Sequence, residues 1–252
     1  MPSKFVWYDL MTPDVKSAAA FYEKVVGWKV ADSGMPGMDY WIITMNGDQV
    51  GGMMPPPPTA KGRPPMWNGY IASKDVDADS KKAKKLGGMI CQDPMDIPGV
   101  GRFSVIADPA GATFLLFKDT SGQEQKEMPM GTAGHIAWRE LTHDGLDKVW
   151  PFYEKMFGWT KTEAYEMGPD YTYQTFSAGD GMIGGMGPMM PDGPPCAWSY
   201  YFAVPALDAA LEIAKANGGK VVNGPMEVPG NTWIANCIDP QGALFSLFAD
   251  KR

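Results

Sequence analysis

The sequence predicts an α+β fold built twice in tandem. Three observations predict it: an internal repeat that spans nearly the whole chain, strand-like and helix-like patterns that alternate within each copy, and a length of 252 residues, which suits two domains of about 100–150 residues each.

The repeat is the strongest of the three. Phe21-Tyr-Glu-Lys-Val-Val-Gly-Trp28 recurs as Phe152-Tyr-Glu-Lys-Met-Phe-Gly-Trp159, with six of eight positions identical at an offset of 131 residues. The same offset carries Trp7 onto Trp138, Asp9 onto Glu140, Tyr40 onto Tyr171, Trp67 onto Trp198 and Met95 onto Met226. It also carries Asp108-Pro-Ala-Gly-Ala onto Asp239-Pro-Gln-Gly-Ala. Between these anchors Gly51-Gly-Met53 matches Gly184-Gly-Met186 at an offset of 133, so two residues are inserted upstream and lost again before Trp198. A period held this far marks a duplication. The copies are 3–120 and 133–250, joined by a linker at 121–132 whose polar Ser121–Glu127 stretch reads as exposed.

Within the first copy, Phe5–Leu10 reads as a short strand, and Asp14 starts a helix that ends near Gly27. Val15, Ala18, Ala19, Tyr22 and Val26 recur along it at three- and four-residue intervals. Strands follow at Trp28–Ala31, Tyr40–Met45 and Gln49–Met53, with Asn46-Gly47 as a hairpin turn. The pattern then restarts: strand Trp67–Ala72, helix Asp75–Leu86 stopped by Gly87-Gly88, and strands near Met89–Cys91, Phe103–Ala107 and Ala112–Phe117. Strand, helix and three strands, twice per copy, make four modules.

Composition bounds the function. Lys plus Arg is 22 and Asp plus Glu is 29, a net charge of −7. Nucleic acid and anionic membrane surfaces both demand a basic face, so neither is the expected partner. The four lysines between Lys81 and Lys85 read as a solvated helix face. Cys91, Cys196 and Cys237 form no paired framework, and with no signal segment or membrane span in view they point to a reducing cytoplasm. Gly51-Gly52 and Gly184-Gly185 sit in no phosphate-loop frame.

The module count, the repeated Phe-Tyr-Glu-Lys-x-x-Gly-Trp motif and the Asp-Pro-x-Gly-Ala strand entry resemble the vicinal oxygen chelate superfamily of glyoxalases, bleomycin-resistance proteins and extradiol dioxygenases. More narrowly the chain looks like its tandem glyoxalase-like branch, whose members carry hydroxylase or antigen labels without settled chemistry. The resemblance covers both copies. It implies paired βαβββ modules forming a U-shaped mixed sheet around a cavity, and a single chain doing as a pseudo-dimer what relatives build from two. Metal-using relatives place a His or Gln fourteen residues before the Phe-Tyr pair and a Glu seven residues after the Asp of Asp-Pro-x-Gly. Here those positions hold Trp7 and Trp138, then Leu115 and Ser246. Indole and aliphatic groups cannot ligate a metal and a lone serine does so poorly, so no metal or other cofactor is expected, a divalent ion at a site outside the family pattern being the alternative. The two histidines do not restore the set: His135 falls on the face opposite Trp138, and His143 lies past the strand in the loop before the helix.

Period two puts Trp7 beside Asp9 and Trp138 beside Glu140. If tryptophan stands in for the metal ligand, each cavity holds an indole and a carboxylate together. An aromatic wall raises a carboxyl pKa, which suits a general acid or base; the plainer reading leaves Asp9 and Glu140 as strand-end hydrogen-bond acceptors. Tyr40, Tyr171, Tyr173, Trp67, Trp198, Met53 and Met186, with Leu115 and Ser246 beside the indoles, supply the largely aromatic and thioether lining that a planar or partly apolar small molecule requires, with core packing as the alternative for any one of them. Met54–Pro65 and Pro188–Pro195 read as stiff rims. The expected function is metal-free binding of an aromatic or amphipathic small molecule. An enzyme of the glyoxalase or dioxygenase type, with Glu140 or Asp9 as acid or base, and a purely structural role are the competing readings.

Overall fold

The computed structural model describes residues 1–60, 62–122, 128–169, 171–179, 181–189 and 195–252. Part of the linker (123–127) and the core of the second rim (190–194) therefore lie outside the described residues. Sixteen strands and four helices are described, in the order the sequence predicts. The first copy runs β1 (Phe5–Met11), α1 (Val15–Val25), β2 (Lys29–Asp32), β3 (Trp41–Met45), β4 (Asp48–Met54), β5 (Met66–Ala72), α2 (Val76–Lys85), β6 (Met89–Ile97), β7 (Gly101–Ala107) and β8 (Thr113–Asp119). The second runs β9 (Ile136–His143), α3 (Leu146–Phe157), β10 (Thr160–Gly168), β11 (Tyr171–Ser177), β12 (Met182–Pro188), β13 (Ala197–Ala203), α4 (Leu207–Ala216), β14 (Lys220–Val228), β15 (Thr232–Ile238) and β16 (Leu244–Ala249). Each copy forms one mixed sheet, ordered β2-β3-β4-β1-β5-β8-β7-β6 and β10-β11-β12-β9-β13-β16-β15-β14.

Local chemistry accounts for the element ends. Asp14 caps α1 by accepting from the Ser17 amide at 3.0 Å and its hydroxyl at 2.6 Å, and Asp75 caps α2 through the Ala78 amide. Asn46 and Gly47 both take positive φ (52° and 92°), the twist that a two-residue hairpin between β3 and β4 needs. Gly158 closes α3 in the left-handed conformation at φ 69°. β6 is the strand that most exceeds its predicted span. β6 continues past Cys91 through Pro94 because it is an edge strand, where a missing N–H costs nothing, and its pairing slips between Gln92 and Met95 to accommodate the proline.

The chain packs as two compact units, and each draws one module from each copy. The first comprises Met1–Trp7, Asn68–Lys126 and Arg139–Trp198; the second comprises Tyr8–Trp67, Glu127–Trp138 and Ser199–Arg252. The repeated motifs are the joints within them. In the second unit the Tyr22 hydroxyl, fully buried, donates to Asp239 Oδ2 at 3.1 Å and accepts the Trp67 indole N–H at 3.1 Å. In the first unit Tyr153 repeats both bonds with Asp108 (2.8 Å) and Trp198 (3.0 Å). The other oxygen of each aspartate accepts two backbone amides of its own Asp-Pro-x-Gly-Ala turn, Ala110 and Ala112 or Gln241 and Ala243, at 2.8–2.9 Å. The motif tryptophans also find backbone carbonyls, Trp28 at Gly134 and Trp159 at Ser3, both at 2.7 Å.

Around these polar links the cores are aromatic. Tyr153 stacks on Trp159, which stacks on Phe176, in the first unit. Tyr22, Trp28, Trp67 and Phe202 meet mostly edge to face in the second. Gly88 and Gly219, equivalent positions after α2 and α4, leave room for Phe152 and Phe21, whose rings would lie 2.9–3.1 Å from an added Cβ.

Candidate functional site

In the second unit β4 lies parallel to β1 with Gly52 opposite Asp9, and antiparallel to β3 with Gly52 opposite Ile42. Tyr40 stands two residues before Ile42, on the same face and diagonal to the glycine. The missing side chain at Gly52 opens a gap that the phenol fills: a Cβ there would lie 2.0 Å from the Tyr40 oxygen, 2.3 Å from Cζ and 2.8 Å from Asp9 Oδ1. Held over that floor, Tyr40 donates to Asp9 Oδ1 at 2.6 Å. Asp9 is 3% exposed, so the bond forms at a carboxylate largely removed from water, where a charge-assisted hydrogen bond is strongest.

The first unit builds the same device. Gly185 of β12 stands opposite Glu140 of β9 and Thr175 of β11. Tyr173, two residues before Thr175, covers the glycine, its ring 2.3 Å from an added Cβ, and donates to Glu140 Oε2 at 3.0 Å. Tyr171 follows on the same face, its hydroxyl 3.2 Å from a Cβ at Gly187. Burial and the Glu140 charge push its phenol pKa above the usual value.

These registers change one sequence pairing. The counterpart of Tyr40 is Tyr173, not Tyr171, because the two inserted residues already lie upstream of β11, so the 133-residue offset holds there. Tyr171 is an added phenol in the second copy. Sequence reading also missed the glycines as the floor of the pairs; the signal was present in Gly-Gly dipeptides recurring opposite the two carboxylates.

The remaining predicted residues are distributed more widely. Trp67 and Trp198 are buried in the cores, bound to Tyr22 and Tyr153. Met53 and Met186 follow the floor glycines, point to the other face of the sheet and are fully buried, paired in register with Leu10 and Leu141. Trp7 on β1 is half-buried. Trp138 is half-buried on β9 and packs on the cluster of Ala137, Tyr201, Ala203 and Phe248. Leu115 and Ser246 occupy equivalent places on β8 and β16; Leu115 is 6% exposed and Ser246 fully buried. His143 is not in a loop: β9 extends to include it, because its backbone pairs with Pro188 and its carbonyl accepts from Met189. Its Nδ1 accepts from the Gly145 amide at 3.1 Å, its buried Nε2 finds no partner among the described residues, and burial lowers its pKa. His135 lies before β9, its carbonyl bound by Ala203.

The donors at the superfamily's metal positions do not fit a metal ion. Two are indoles and one is leucyl, while the Ser246 oxygen is buried and accepts the Asn236 amide at 2.8 Å. Among the described residues no three His, Cys, Asp or Glu side chains gather into a group able to hold one.

Four βαβββ modules, with a phenol–carboxylate pair set over a glycine in each copy, define a tandem protein of the glyoxalase-like class. The profile of the Glyoxalase/Bleomycin resistance protein/Dioxygenase superfamily matches residues 4–116 and again 132–247. The chain belongs to this superfamily. It is 38% identical over 245 residues to CFP32 of Mycobacterium bovis, named as a candidate glyoxylase, covering 96% of this chain and 92% of that one. It is 31% identical over 265 residues to the anthracycline biosynthesis protein DnrV of Streptomyces peucetius, with 98% and 93% covered. Among solved structures it resembles the Mn(II)-bound glyoxalase of Novosphingobium aromaticivorans (TM-score 0.66, 17% identity, covering 100% and 82%). It also resembles homoprotocatechuate 2,3-dioxygenase of Brevibacterium fuscum (TM-score 0.68, 14% identity, covering 100% and 82%). Among the described residues no helix is long and apolar enough to cross a membrane.

Proposed function

We propose that this protein binds a planar, partly apolar small molecule, using the tyrosine–carboxylate pairs as its polar contacts and no resident metal. The observation that carries the reading is the pair itself: Asp9–Tyr40 and Glu140–Tyr173 are each built over a glycine that has no other evident use. The Trp7, Trp138, Leu115 and Ser246 set supports the metal-free part, since it offers an ion no adequate ligands. The kinship with a protein named for anthracycline biosynthesis supports a polycyclic ligand, anthracyclines being fused planar ring systems. Three free cysteines are consistent with a cytoplasmic protein.

Isothermal titration with 2-naphthol tests the proposal. Saturable binding that is unchanged by EDTA and weakened in Tyr40→Phe or Tyr173→Phe is the expected result. Binding that disappears with chelator and returns with a divalent metal would overturn it. A second reading, acid–base catalysis through Glu140 or Asp9, is favoured by one feature: burial, and after it the nearby Glu140 charge, raises the Tyr171 phenol beside the Glu140–Tyr173 pair. That reading requires turnover that is lost in Glu140→Gln while binding persists.

A further inference from the structure

Beside the pairs, the two copies differ in one row of side chains. In the second copy the strand registers align Asn223 (β14), Asn236 (β15), Ser246 (β16) and Tyr201 (β13) across four neighbouring strands. The same registers in the first copy align Gln92, Val105, Leu115 and Tyr70. The next row on the same face is apolar in both: Met226, Ile234, Phe248 and Ala203 against Met95, Phe103, Phe117 and Ala72. The apolar row is common to both copies, and the middle of the other row is polar in the second copy only.

The polar row is connected. Asn236 Nδ2 donates to the Ser246 hydroxyl at 2.8 Å and to the Tyr201 hydroxyl at 3.2 Å. Both amide protons are thereby committed inward, which fixes the amide plane and turns Oδ1 toward the exposed edge of the sheet. There, among the described residues, Oδ1 accepts a single long 3.3 Å contact from the exposed Asn223. Ser246 and Tyr201 are buried while Asn236 is half-buried, and Trp138 and Ile234 form a partly buried apolar flank beside it. A packing-only role would be served by the Val–Leu pair that the first copy uses.

We propose that Asn236, positioned by Ser246 and Tyr201, is a specificity subsite that accepts a hydrogen bond from a hydroxyl on a planar aromatic ligand, and that only the second copy has it. The ligand hydroxyl displaces the Asn223 contact at Oδ1 while its ring lies along the apolar row. The subsite rests on the binding reading above and gives the copies different preferences.

The test compares 2-naphthol with 2-methoxynaphthalene, which keeps the rings and loses the donor. By isothermal titration the wild-type protein should bind 2-naphthol about five- to tenfold more tightly, the value of one well-made hydrogen bond. Asn236→Leu should bring that preference to within about twofold. Ser246→Ala, a smaller change that unlocks the amide, should reduce the preference with little effect on folding, and it keeps the test open if Asn236→Leu does not fold. A thermal melt separates packing from recognition, since a purely structural row would lower the melting temperature without moving the preference. A preference that survives Asn236→Leu but falls in Tyr40→Phe or Tyr173→Phe overturns the subsite and leaves the binding reading standing, and equal binding of the two probes to wild type overturns the subsite. Binding of neither probe overturns both.

Discussion

Replacing Gly52 with alanine tests the geometry of the phenol–carboxylate pair directly. The new methyl would sit 2.0 Å from the Tyr40 oxygen and 2.3 Å from its Cζ, so the ring has to leave. Its hydrogen bond to Asp9 goes with it, and a hydrogen bond to a charged group is worth about 1.5–3 kcal/mol. Against that stands a gain of about 0.5–1 kcal/mol from replacing glycine in a strand interior. The net expectation is a loss of about 1–2 kcal/mol in urea unfolding at neutral pH. The same substitution in a Tyr40→Ala background meets an empty floor, apart from a carboxylate tip that can turn aside, and should be neutral or mildly stabilising. The double-mutant cycle should therefore show a coupling of about 2 kcal/mol between positions 52 and 40. Equal costs in the two backgrounds would mean that Tyr40 does not lie over Gly52, and the account of the pair would fail.

Three further outcomes are expected. Tyr22→Phe and Tyr153→Phe should each cost about 1–3 kcal/mol in denaturant unfolding, because a buried aspartate and a buried indole N–H each lose a partner; neutrality in both would refute the joints. Burial lowers the His143 pKa below its ordinary 6.5, so the unfolded chain takes up that proton first. Its contribution to stability is complete well above pH 6.5 and declines as the pH falls through 6.5 toward the folded value; unfolding at pH 7.5 and 5.5 should show a smaller acid loss in His143→Asn than in wild type, and identical slopes would count against it. Gly47→Ala should cost about 1 kcal/mol, since φ is 92° with no neighbour within 4 Å, leaving conformational strain as the only penalty; an unchanged midpoint would contradict the turn assignment.

The sequence carried the fold nearly whole. A 131-residue offset, helix periodicity and Asn46-Gly47 located the strands and helices because each reports local backbone preference. The strand ends that no local pattern encodes are those of β6, which depends on its place at a sheet edge, and of β9, which depends on its pairing with β12. At the site, Asp9, Glu140, Tyr40 and Tyr173 were legible as residue types on strand faces. What was not legible was which side of a strand each aromatic serves. Trp67 and Trp198 look like ligand-facing indoles in a linear reading, yet their N–H groups satisfy phenols 45 residues away. Met53 and Met186 were separated from the site by a single step of strand alternation beyond a glycine. The Asn236 row could not be seen at all, since it exists only once four strands have found their register.

The aspartate turns that receive Tyr22 and Tyr153 each belong to the opposite copy. The duplicated gene product is thus a mutual graft: severing the peptide between residues 121 and 132 would yield two fragments that each lack half of both interiors. Such fragments should be unable to fold in isolation and should complement one another when mixed.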